Sequence, residues 1–469
     1  MESIKKRLNI RVPAMASIWY ISSSIVARGL SVLVTPIFTR LMSPDEYGLF
    51  PLYNTWLGLF TVIVTLELSG GVVYRALQKF PDKKSKIISS TFGLFLTIFT
   101  LFSLIYLLFQ KPINEITGLN TRIMLIMLLQ ILANATVTFY TARARYEYRY
   151  KSVAFINVIT AILTPLISLI LLYTFNIGGE SRIFGSCLGA LIVAIPIGYL
   201  ILQESHTLFN KDVWKFLLRF NIPLIPHYLA MTMILRVGEI SVGRSFGNDA
   251  LGRYSVAMSV GMGLTIVTSG LLAAMSPWIL RKLQKNETDA IKDFLLMSTK
   301  GLCAACLMIL AVAPEIIHLL TPKIFHSSLP AVYPLELAVI PMFLSGALIS
   351  AEGYYEKTSK SALPSIITAV ISMAFALIVL PTVDYRYVSV FVLVCYVILT
   401  VLRCISFKEL SGSLPINVFG TVATFLLTLA YAMLIFLLRN APVLRILAAL
   451  PIIPAAVKLA KNIYTKVSE

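Results

Sequence analysis

Two arginines lie within apolar stretches of the sequence. Arg28 is near the centre of "SSSIVARGLSVLVT", residues 22–35, and Arg236 lies in a second apolar stretch at 221–244. A guanidinium keeps its proton at physiological pH, so its transfer into the hydrocarbon core of a bilayer is costly. Such a side chain is expected to face a polar cavity, where its planar fork of N–H donors suits phosphate oxygens bidentately.

Each arginine belongs to a stripe of polar side chains three, four or seven positions apart, which is the spacing of one helix face. The stripe of the first apolar segment is Ser17, Ser24, Arg28, Ser31 and Thr35, and that of the seventh is Tyr228, Thr232, Arg236, Glu239 and Gly243. We expect both stripes to line a water-filled cleft, in which an arginine keeps much of its hydration. Arg236 has an alternative partner one turn away, Glu239. Arg28 has no acid three or four positions away, and its alternative partner is Glu67 in the next apolar segment.

The composition is typical of a membrane protein. Of the 469 residues, 58% are hydrophobic and 13% are charged, against roughly 25% charged residues in soluble proteins. The net charge of +18 is divided among short basic clusters between apolar stretches, which indicates cytoplasmic loops and argues against nucleic-acid binding. The five cysteines and four histidines show no convincing metal-ligand spacing, so no metal or cofactor site is predicted.

Apolar segments of about 20 residues predict about fourteen transmembrane helices. Their predicted bounds are 13–38, 48–70, 87–109, 122–141, 152–174, 183–202, 221–244, 251–275, 294–313, 333–353, 364–382, 387–404, 416–438 and 443–460. If "MESIKKRLNIR" is cytoplasmic, most of the 40 Lys and Arg residues fall on the cytoplasmic side, so both termini are predicted there. No connecting segment is long enough for a soluble catalytic domain, and an enzyme is not predicted.

An internal repeat relates the two halves of the chain. At an offset of 204 residues, "RLMSPDEYGLF" at 40–50 matches "RSFGNDALGRY" at 244–254. The matched pairs are Arg40 with Arg244, Asp45 with Asp249, and Gly48 with Gly252. Six helices separate the matching points, so the halves point the same way, and transporters with parallel repeats hold substrate where the repeats meet. The predicted domains are a six-helix lobe at 1–202, a second six-helix lobe at 203–404, and two additional helices at 405–469.

Three motifs carry a resemblance to a known family: "RLMSPDEYGLF" after the first helix, "GRSFGNDALGRYSVA" after the seventh, and "AMSPWILRKL" after the eighth. With them the chain resembles the Wzx-type oligosaccharide and polysaccharide-export flippases of the multidrug/oligosaccharidyl-lipid/polysaccharide exporter superfamily. The resemblance implies an all-α polytopic membrane protein, with two six-helix lobes in a MATE/MurJ-like V shape plus two C-terminal helices. It also implies alternating-access translocation of an undecaprenyl-pyrophosphate-linked oligosaccharide repeat unit, from the cytoplasmic to the outer leaflet of the bacterial cytoplasmic (inner) membrane. A polysaccharide polymerase and chain-length proteins are the implied partners.

The resemblance implies that the arginines bind the pyrophosphate of the substrate, because a pyrophosphate that crosses a low-dielectric region needs counter-charges. The predicted pyrophosphate-binding residues are Arg28, Arg236, Arg40, Arg244 and Arg75, and the predicted polar cavity lining is Ser24, Ser31, Thr232 and Tyr228. Arg40 and Arg244 would extend a basic path at the outer ends of equivalent helices, and Arg75 would recruit substrate at the cytoplasmic end of the second helix. Anchoring at the membrane interface is the alternative for each of these three.

Acids within the predicted spans are the candidates for ion coupling. A dianion that moves outward from a negatively charged interior gains roughly 4–5 kcal/mol of electrical free energy per 100 mV of membrane potential. If arginines neutralise it, the electrical gain moves to the return of the empty cationic carrier, and binding of H⁺ or Na⁺ from outside would add to this inward, electrically downhill step. The candidate acids are Glu67, Glu239 and Glu352. Many relatives carry an Asp-Arg pair where this chain has Gly238-Glu239, so a cation role is not transferred from that pair.

Other functions remain open from the sequence. A drug exporter or a lipid II flippase of the same superfamily shares the helix count, although a drug exporter would favour acids and aromatic side chains in its cleft. A membrane-bound polymerase or sugar-transferring enzyme would need a large extracytoplasmic loop or a clustered acid pair, and neither is found. A nonenzymatic scaffold would leave the charges within the spans without a purpose.

Overall fold

The computed structural model describes residues 2–69, 71–79, 84–204, 207–355, 358–378, 382–454 and 456–459, which are mostly helical and contain no strand. The α-helices of these ranges are α1 (Glu2–Leu41), α2 (Pro44–Thr65), α3 (Gly71–Lys79), α4 (Lys84–Leu108), α5 (Gln110–Thr117), α6 (Thr121–Tyr146), α7 (Tyr150–Phe175), α8 (Glu180–Glu204), α9 (Lys211–Asn221), α10 (Ile225–Gly261), α11 (Thr265–Gln284), α12 (Thr288–Leu320), α13 (Leu329–Glu352), α14 (Thr358–Ile378), α15 (Val388–Ser411), α16 (Val418–Leu437) and α17 (Pro442–Ala449). The predicted all-α fold is confirmed.

The number of membrane spans is slightly below the predicted one. Twelve helical stretches of the described residues are long and apolar enough to cross a membrane, or thirteen if the bent pair Lys211–Gly261 and Thr265–Gln284 counts as one span. Each of the twelve overlaps a predicted span. The difference lies in the seventh and eighth predicted spans, which both fall within the bent pair, and the predicted connection between them contains a break of α10 at Gly247. The bend of 46° comes later, between α10 and α11.

Two helix breaks lie at matching positions of the repeat. α2 begins after Ser43, whose hydroxyl accepts the Glu46 N–H, while the Glu46 carboxylate accepts the Ser43 N–H at 2.9 Å. The offset of 204 residues maps Ser43 onto Gly247, which interrupts α10 with φ 79° and ψ −179°. Residues with a Cβ rarely adopt this conformation. Glycine therefore supplies in the second half the break that a capping box supplies in the first.

The chain forms two compact units, Met1–Leu229 and Ala230–Glu469. In the N-terminal unit, α7 packs on α1 and α8, and α8 also packs on α6. Helices α7 and α8 approach closely where a glycine faces a small residue, because a Cβ on Gly185 would lie 2.2 Å from Ser168 Oγ. In the C-terminal unit, α13 packs on α15, and α12 packs on α13 and α16. The predicted lobe bounds at residues 202 and 404 stay a prediction.

Large apolar side chains cover much of the exposed surface of the helices. Leu108, Phe419 and Leu427 are 79%, 87% and 72% exposed. Side chains of this kind are compatible with acyl chains and would be costly in water. The exposed apolar faces therefore agree with a polytopic membrane protein.

Three short helices depart from this apolar pattern. α3, α5 and α9 are amphipathic and too short to span a membrane. The buried face of α9 includes Leu217, and its Trp214 indole N–H donates to the Ser90 carbonyl at 2.9 Å. Hydropathy alone did not predict these helices, because each has a polar face and therefore contains no long apolar run.

Candidate functional site

A cavity of about 560 Å³, lined by both polar and apolar side chains, lies within the N-terminal unit. From α1 it is lined by Ser24, Arg28, Ser31 and Thr35, which are four members of the predicted stripe. The side chain of the fifth, Ser17, lies outside the described part of the structure. From α7 it is lined by a second stripe, Asn157, Thr160, Thr164 and Ser168. The α7 stripe was not predicted, although its spacing of three and four residues is the same helical signal.

The described lining of this cavity contains two arginines and no carboxylate. One is Arg28, which is solvent-exposed and reaches the cavity from α1. The other is Arg182, near the start of α8. A concave surface with one sign of charge and apolar walls raises the local concentration of ions of opposite sign. The cavity is therefore suited to an anion and unsuited to an organic cation.

Three of the six hydroxyl groups in the described lining donate to backbone carbonyls one turn back on their own helix. Thr35 donates to the Ser31 carbonyl, Thr160 to the Ile156 carbonyl, and Ser168 to the Thr164 carbonyl, at 3.0, 2.8 and 2.7 Å. Each hydroxyl oxygen keeps lone pairs for accepting hydrogen bonds. The walls beside the arginines therefore offer acceptors, which suits a ligand that carries its own hydroxyl donors.

Arg182 lies in an aromatic box. Its guanidinium carbon is 4.9 Å from the ring centroid of Phe38, 4.6 Å from that of Tyr47 and 4.2 Å from that of Phe50. Its Nη1 is buried and has no hydrogen-bond partner among the described residues. Within that part of the chain, the side chain also forms no ion pair with a carboxylate. Sequence reasoning missed Arg182, because hydropathy placed it in a connecting segment just before the predicted span 183–202.

In the C-terminal unit, the arginine of the predicted stripe is paired. Arg236 Nη1 lies 2.7 Å from Glu239 Oε2, and the side chains are 28% and 6% exposed. Local pairing, the alternative left open by the sequence, is therefore present in the structure. Thr232 is half-buried on the same helix. Tyr228 belongs to the N-terminal unit, where its ring centroid lies 5.7 Å from that of His227.

The three remaining predicted arginines have separate environments. Arg40 is exposed and donates to the Pro36 carbonyl at 2.9 Å, one turn back on α1. Arg244 is exposed and forms no ion pair among the described residues. The guanidinium of Arg75 lies 4.6 Å from the ring centroid of Phe220 and so joins α3 to α9. The structure does not place Arg40 or Arg75 in the lining of the described cavity.

Glu67 is not an ion-pair partner of Arg28, so that alternative is wrong. Glu67 follows the end of α2 and makes no ion pair among the described residues. The turn between α1 and α2 is at Met42 and Ser43. Glu67 lies about 35 Å of helix beyond that turn and Arg28 about 20 Å before it, so the two side chains differ in depth.

Glu352 lies in a buried ion pair instead of an open cavity. Its Oε2 is 3.1 Å from Nη1 of Arg403 on α15, and both side chains are 0% exposed. A further buried acid, Glu336 on α13, was missed by the sequence analysis even though it lies within a predicted span. Glu336 is 0% exposed, and neither carboxylate oxygen has a hydrogen-bond partner among the described residues.

Comparison with known proteins decides the family. The family model described as "Polysaccharide biosynthesis protein" matches residues 15–282, which is more than half of the chain. The chain belongs to this family. A relative is the "Lsg locus putative protein 1" of Haemophilus influenzae (strain ATCC 51907 / DSM 11121 / KW20 / Rd). It is 22% identical over 280 residues, which cover 58% of this chain and 67% of the relative.

Solved structures give the fold of this polysaccharide biosynthesis family member. "Lipid II flippase MurJ, inward closed conformation" has a TM-score of 0.70 and 14% identity, and the match covers 96% of this chain and 100% of that one. An inward-facing multidrug resistance MATE family transporter of the MOP superfamily has a TM-score of 0.64 and 13% identity, over 82% and 96% of the two chains. These matches confirm the predicted MATE/MurJ-like fold.

Proposed function

We propose that this protein flips an undecaprenyl-pyrophosphate-linked oligosaccharide repeat unit from the cytoplasmic to the outer leaflet by alternating access. The observation that carries the proposal is the cavity of the N-terminal unit, which has two arginines and no carboxylate in its described lining. Family membership and the exporter fold supply the transporter class. The cavity supplies the preference for an anionic head group.

Arg28 is the proposed pyrophosphate ligand at mid-depth. Its guanidinium presents parallel N–H donors that match two phosphate oxygens, and a charge-assisted contact of this kind is roughly twice as strong as a neutral one. Ser24 and Ser31 lie one turn to either side on α1 and keep the surroundings polar. The hydroxyl acceptors of α7 face the same cavity and suit the hydroxyl donors of a sugar.

The C-terminal unit would take part through its paired arginine. In the conformation described, Glu239 neutralises Arg236. Binding of H⁺ or Na⁺ by Glu239 would release the guanidinium for a phosphate, which links cation binding to substrate binding. Glu67 remains a second candidate for coupling. Glu352 is a weaker one, because its charge is already compensated by Arg403 in a site without solvent.

The other proposed roles follow from the same substrate. Arg40 and Arg244 would extend the basic path near the outer surface, and Arg75 would recruit the head group at the cytoplasmic surface. Both termini would lie in the cytoplasm of a bacterium, with the protein in the inner membrane. A polysaccharide polymerase and chain-length proteins would receive the flipped unit.

Lipid II flipping is the second candidate, because the MurJ fold matches 96% of this chain and the name of that protein specifies lipid II. Both lipids present an anionic head group, so the cavity alone does not separate them. Export of organic cations is disfavoured, because a cationic cavity repels them.

The test is a flipping assay with purified protein in liposomes that contain a fluorescently labelled lipid-linked oligosaccharide. Arg28→Ala should lower the flipping rate at subsaturating lipid by about 10- to 150-fold, which corresponds to the loss of a charged hydrogen bond worth about 1.5–3 kcal/mol. Arg28→Lys should recover part of the rate, because the charge remains and the fork is lost. Arg122→Ala is the matched control, since Arg122 is 64% exposed and pairs with Glu180 in the same unit.

Three outcomes are decisive. Wild-type flipping of the oligosaccharide lipid that is lost in Arg28→Ala and kept in Arg122→Ala supports the proposal. Equal rates in wild type and Arg28→Ala contradict the role of the cavity. Faster flipping of lipid II than of the repeat-unit lipid would favour the second candidate.

A further inference from the structure

The repeat offset relates Arg182 to a second arginine in the other unit. At 204 residues, Glu180 matches Asp384 and Arg182 matches Arg386. Each arginine lies near the start of the sixth helix of its half, and each lines a cavity of its own unit. The two positions therefore share a place in the fold, and their surroundings can be compared side by side.

The two arginines differ in whether an acid neutralises them. Arg386 is held by Asp384, with Nε 2.9 Å from Oδ1 and Nη2 2.7 Å from Oδ2. The matching acid of the N-terminal unit is Glu180, whose Oε2 lies 3.4 Å from Nη1 of Arg122. Glu180 therefore does not pair with Arg182, which contacts aromatic rings instead. The positive charge of Arg386 is thus compensated by a bidentate partner. That of Arg182 faces a cavity with no carboxylate in its described lining.

The aromatic box fixes the orientation of Arg182, partly through a side-chain hydrogen bond with Tyr47, and leaves Nη1 without a hydrogen-bond partner among the described residues. Rings of Phe38, Tyr47 and Phe50 contact the guanidinium within 5 Å and interact favourably with its charge. Stacking of this kind uses the faces of the guanidinium and leaves its N–H edge available for oxygen acceptors. The buried Nη1 without a hydrogen-bond partner carries a free-energy cost. An anion beside Nη1 would remove that cost.

Arg182 also lies at a different depth from Arg28. Its box includes Phe38, which is ten residues after Arg28 on α1. Ten residues of helix correspond to about 15 Å. The two phosphorus atoms of a pyrophosphate share one bridging oxygen, so the group is compact compared with this separation. The two arginines therefore mark successive positions along one cavity.

We infer that Arg182 is a second anion-binding residue of the N-terminal cavity, and that it holds the phosphate group of the substrate near the α1–α2 turn. The inference rests on the proposed function, in which Arg28 holds the same group at mid-depth. Transfer between two positions keeps the head group paired with a cation over more of its path, and so lowers the barrier to crossing.

The experiment measures binding of inorganic pyrophosphate to purified full-length protein by calorimetry at low ionic strength. Arg182→Met keeps an apolar stem against the three rings and removes the charge. It should weaken binding by about tenfold or more. Arg182→Lys should fall between Met and wild type, because it keeps charge without the fork. Arg386→Met is the matched control and should bind within about twofold of wild type, because Arg386 is already neutralised.

A second readout uses wild-type protein, so it does not depend on the folding of a variant. Phenylglyoxal labels arginines, and peptide mass spectrometry reports each site. Added pyrophosphate should protect Arg182 and leave labelling of Arg386 unchanged. Labelling of Arg182 that is insensitive to saturating pyrophosphate would overturn the inference.

The outcomes separate this inference from the proposed function. If Arg28→Ala loses pyrophosphate binding while folded Arg182→Met retains wild-type affinity, the second position is refuted and the proposed function stands. If neither variant changes the affinity, the anion-binding cavity itself is refuted. If Arg182 only packs against the aromatic rings, Arg182→Met should lower thermal stability and leave the affinity for pyrophosphate unchanged, which would also refute the second position.

Discussion

The buried pair of Glu352 and Arg403 allows a structural role to be separated from ion coupling. The carboxylate and guanidinium lie 3.1 Å apart, on α13 and α15, and both side chains are 0% exposed. Arg403 also donates to Ser365 Oγ at 2.7 Å, which brings α14 into the same cluster. We predict that the main role of this pair is to join three helices of the C-terminal unit.

The magnitude follows from the burial. Removing one member leaves an uncompensated charge without solvent, which costs about 3–5 kcal/mol, whereas replacing both by apolar residues is often neutral or stabilising. Glu352→Leu and Arg403→Met should therefore each destabilise the protein strongly. The double variant should be more stable than either single variant, with a coupling energy of at least about 2 kcal/mol.

The assay is equilibrium unfolding by SDS in mixed micelles, together with flipping activity in liposomes. The matched control is the exposed ion pair of Arg122 with Glu180, for which single variants should change stability by less than about 1 kcal/mol. Retention of flipping by the double variant is the expected result. The reasoning would be refuted if Glu352→Leu were fully stable and lost only its response to an imposed ion gradient, since Glu352 would then be a coupling residue.

Two further predictions concern the C-terminal unit. Glu239→Gln removes the acid that neutralises Arg236 and should tighten pyrophosphate binding by up to about fivefold. The reason is that a partly exposed ion pair is worth up to about 1 kcal/mol. Weaker binding of pyrophosphate in calorimetry would contradict this prediction. Gly247→Ala should destabilise by about 1–3 kcal/mol in SDS unfolding, because φ is 79° although a Cβ added there would meet no atom within 4 Å. Gly270→Ala is its control, since that glycine also has open space but no positive φ, and an equal loss in both variants would refute the backbone argument.

Most of the fold could be predicted from the sequence, because a spanning helix needs a long apolar run that few other structures require. Prediction failed where that signal is absent. The amphipathic helix α9 has too many charges for a hydropathy search, although Asn210 caps its first turn by accepting the Val213 N–H. The predicted connection between the seventh and eighth spans does contain the break of α10, at Gly247, but the hydropathy pattern did not predict that a glycine with positive φ makes it.

The candidate site was predicted in part. The polar face of α1 follows from spacing alone, because residues three and four apart must share a face. The polar face of α7 has the same spacing but contains no charged residue, so it was not predicted. The environments of the arginines depend on tertiary contacts, which the sequence does not specify. Nothing in the spacing of Arg403 and Glu352, which lie on different helices, predicts that they pair.

The central claim is that the N-terminal cavity holds the phosphate groups of a lipid-linked oligosaccharide at Arg28. The most direct measurement is a cryo-electron microscopy structure of the protein in lipid nanodiscs with that lipid bound. The account predicts phosphate density within hydrogen-bond distance of the Arg28 guanidinium and sugar density along the α7 polar face. A head group bound outside this cavity, with Arg28 and Arg182 both distant from phosphate, would contradict it.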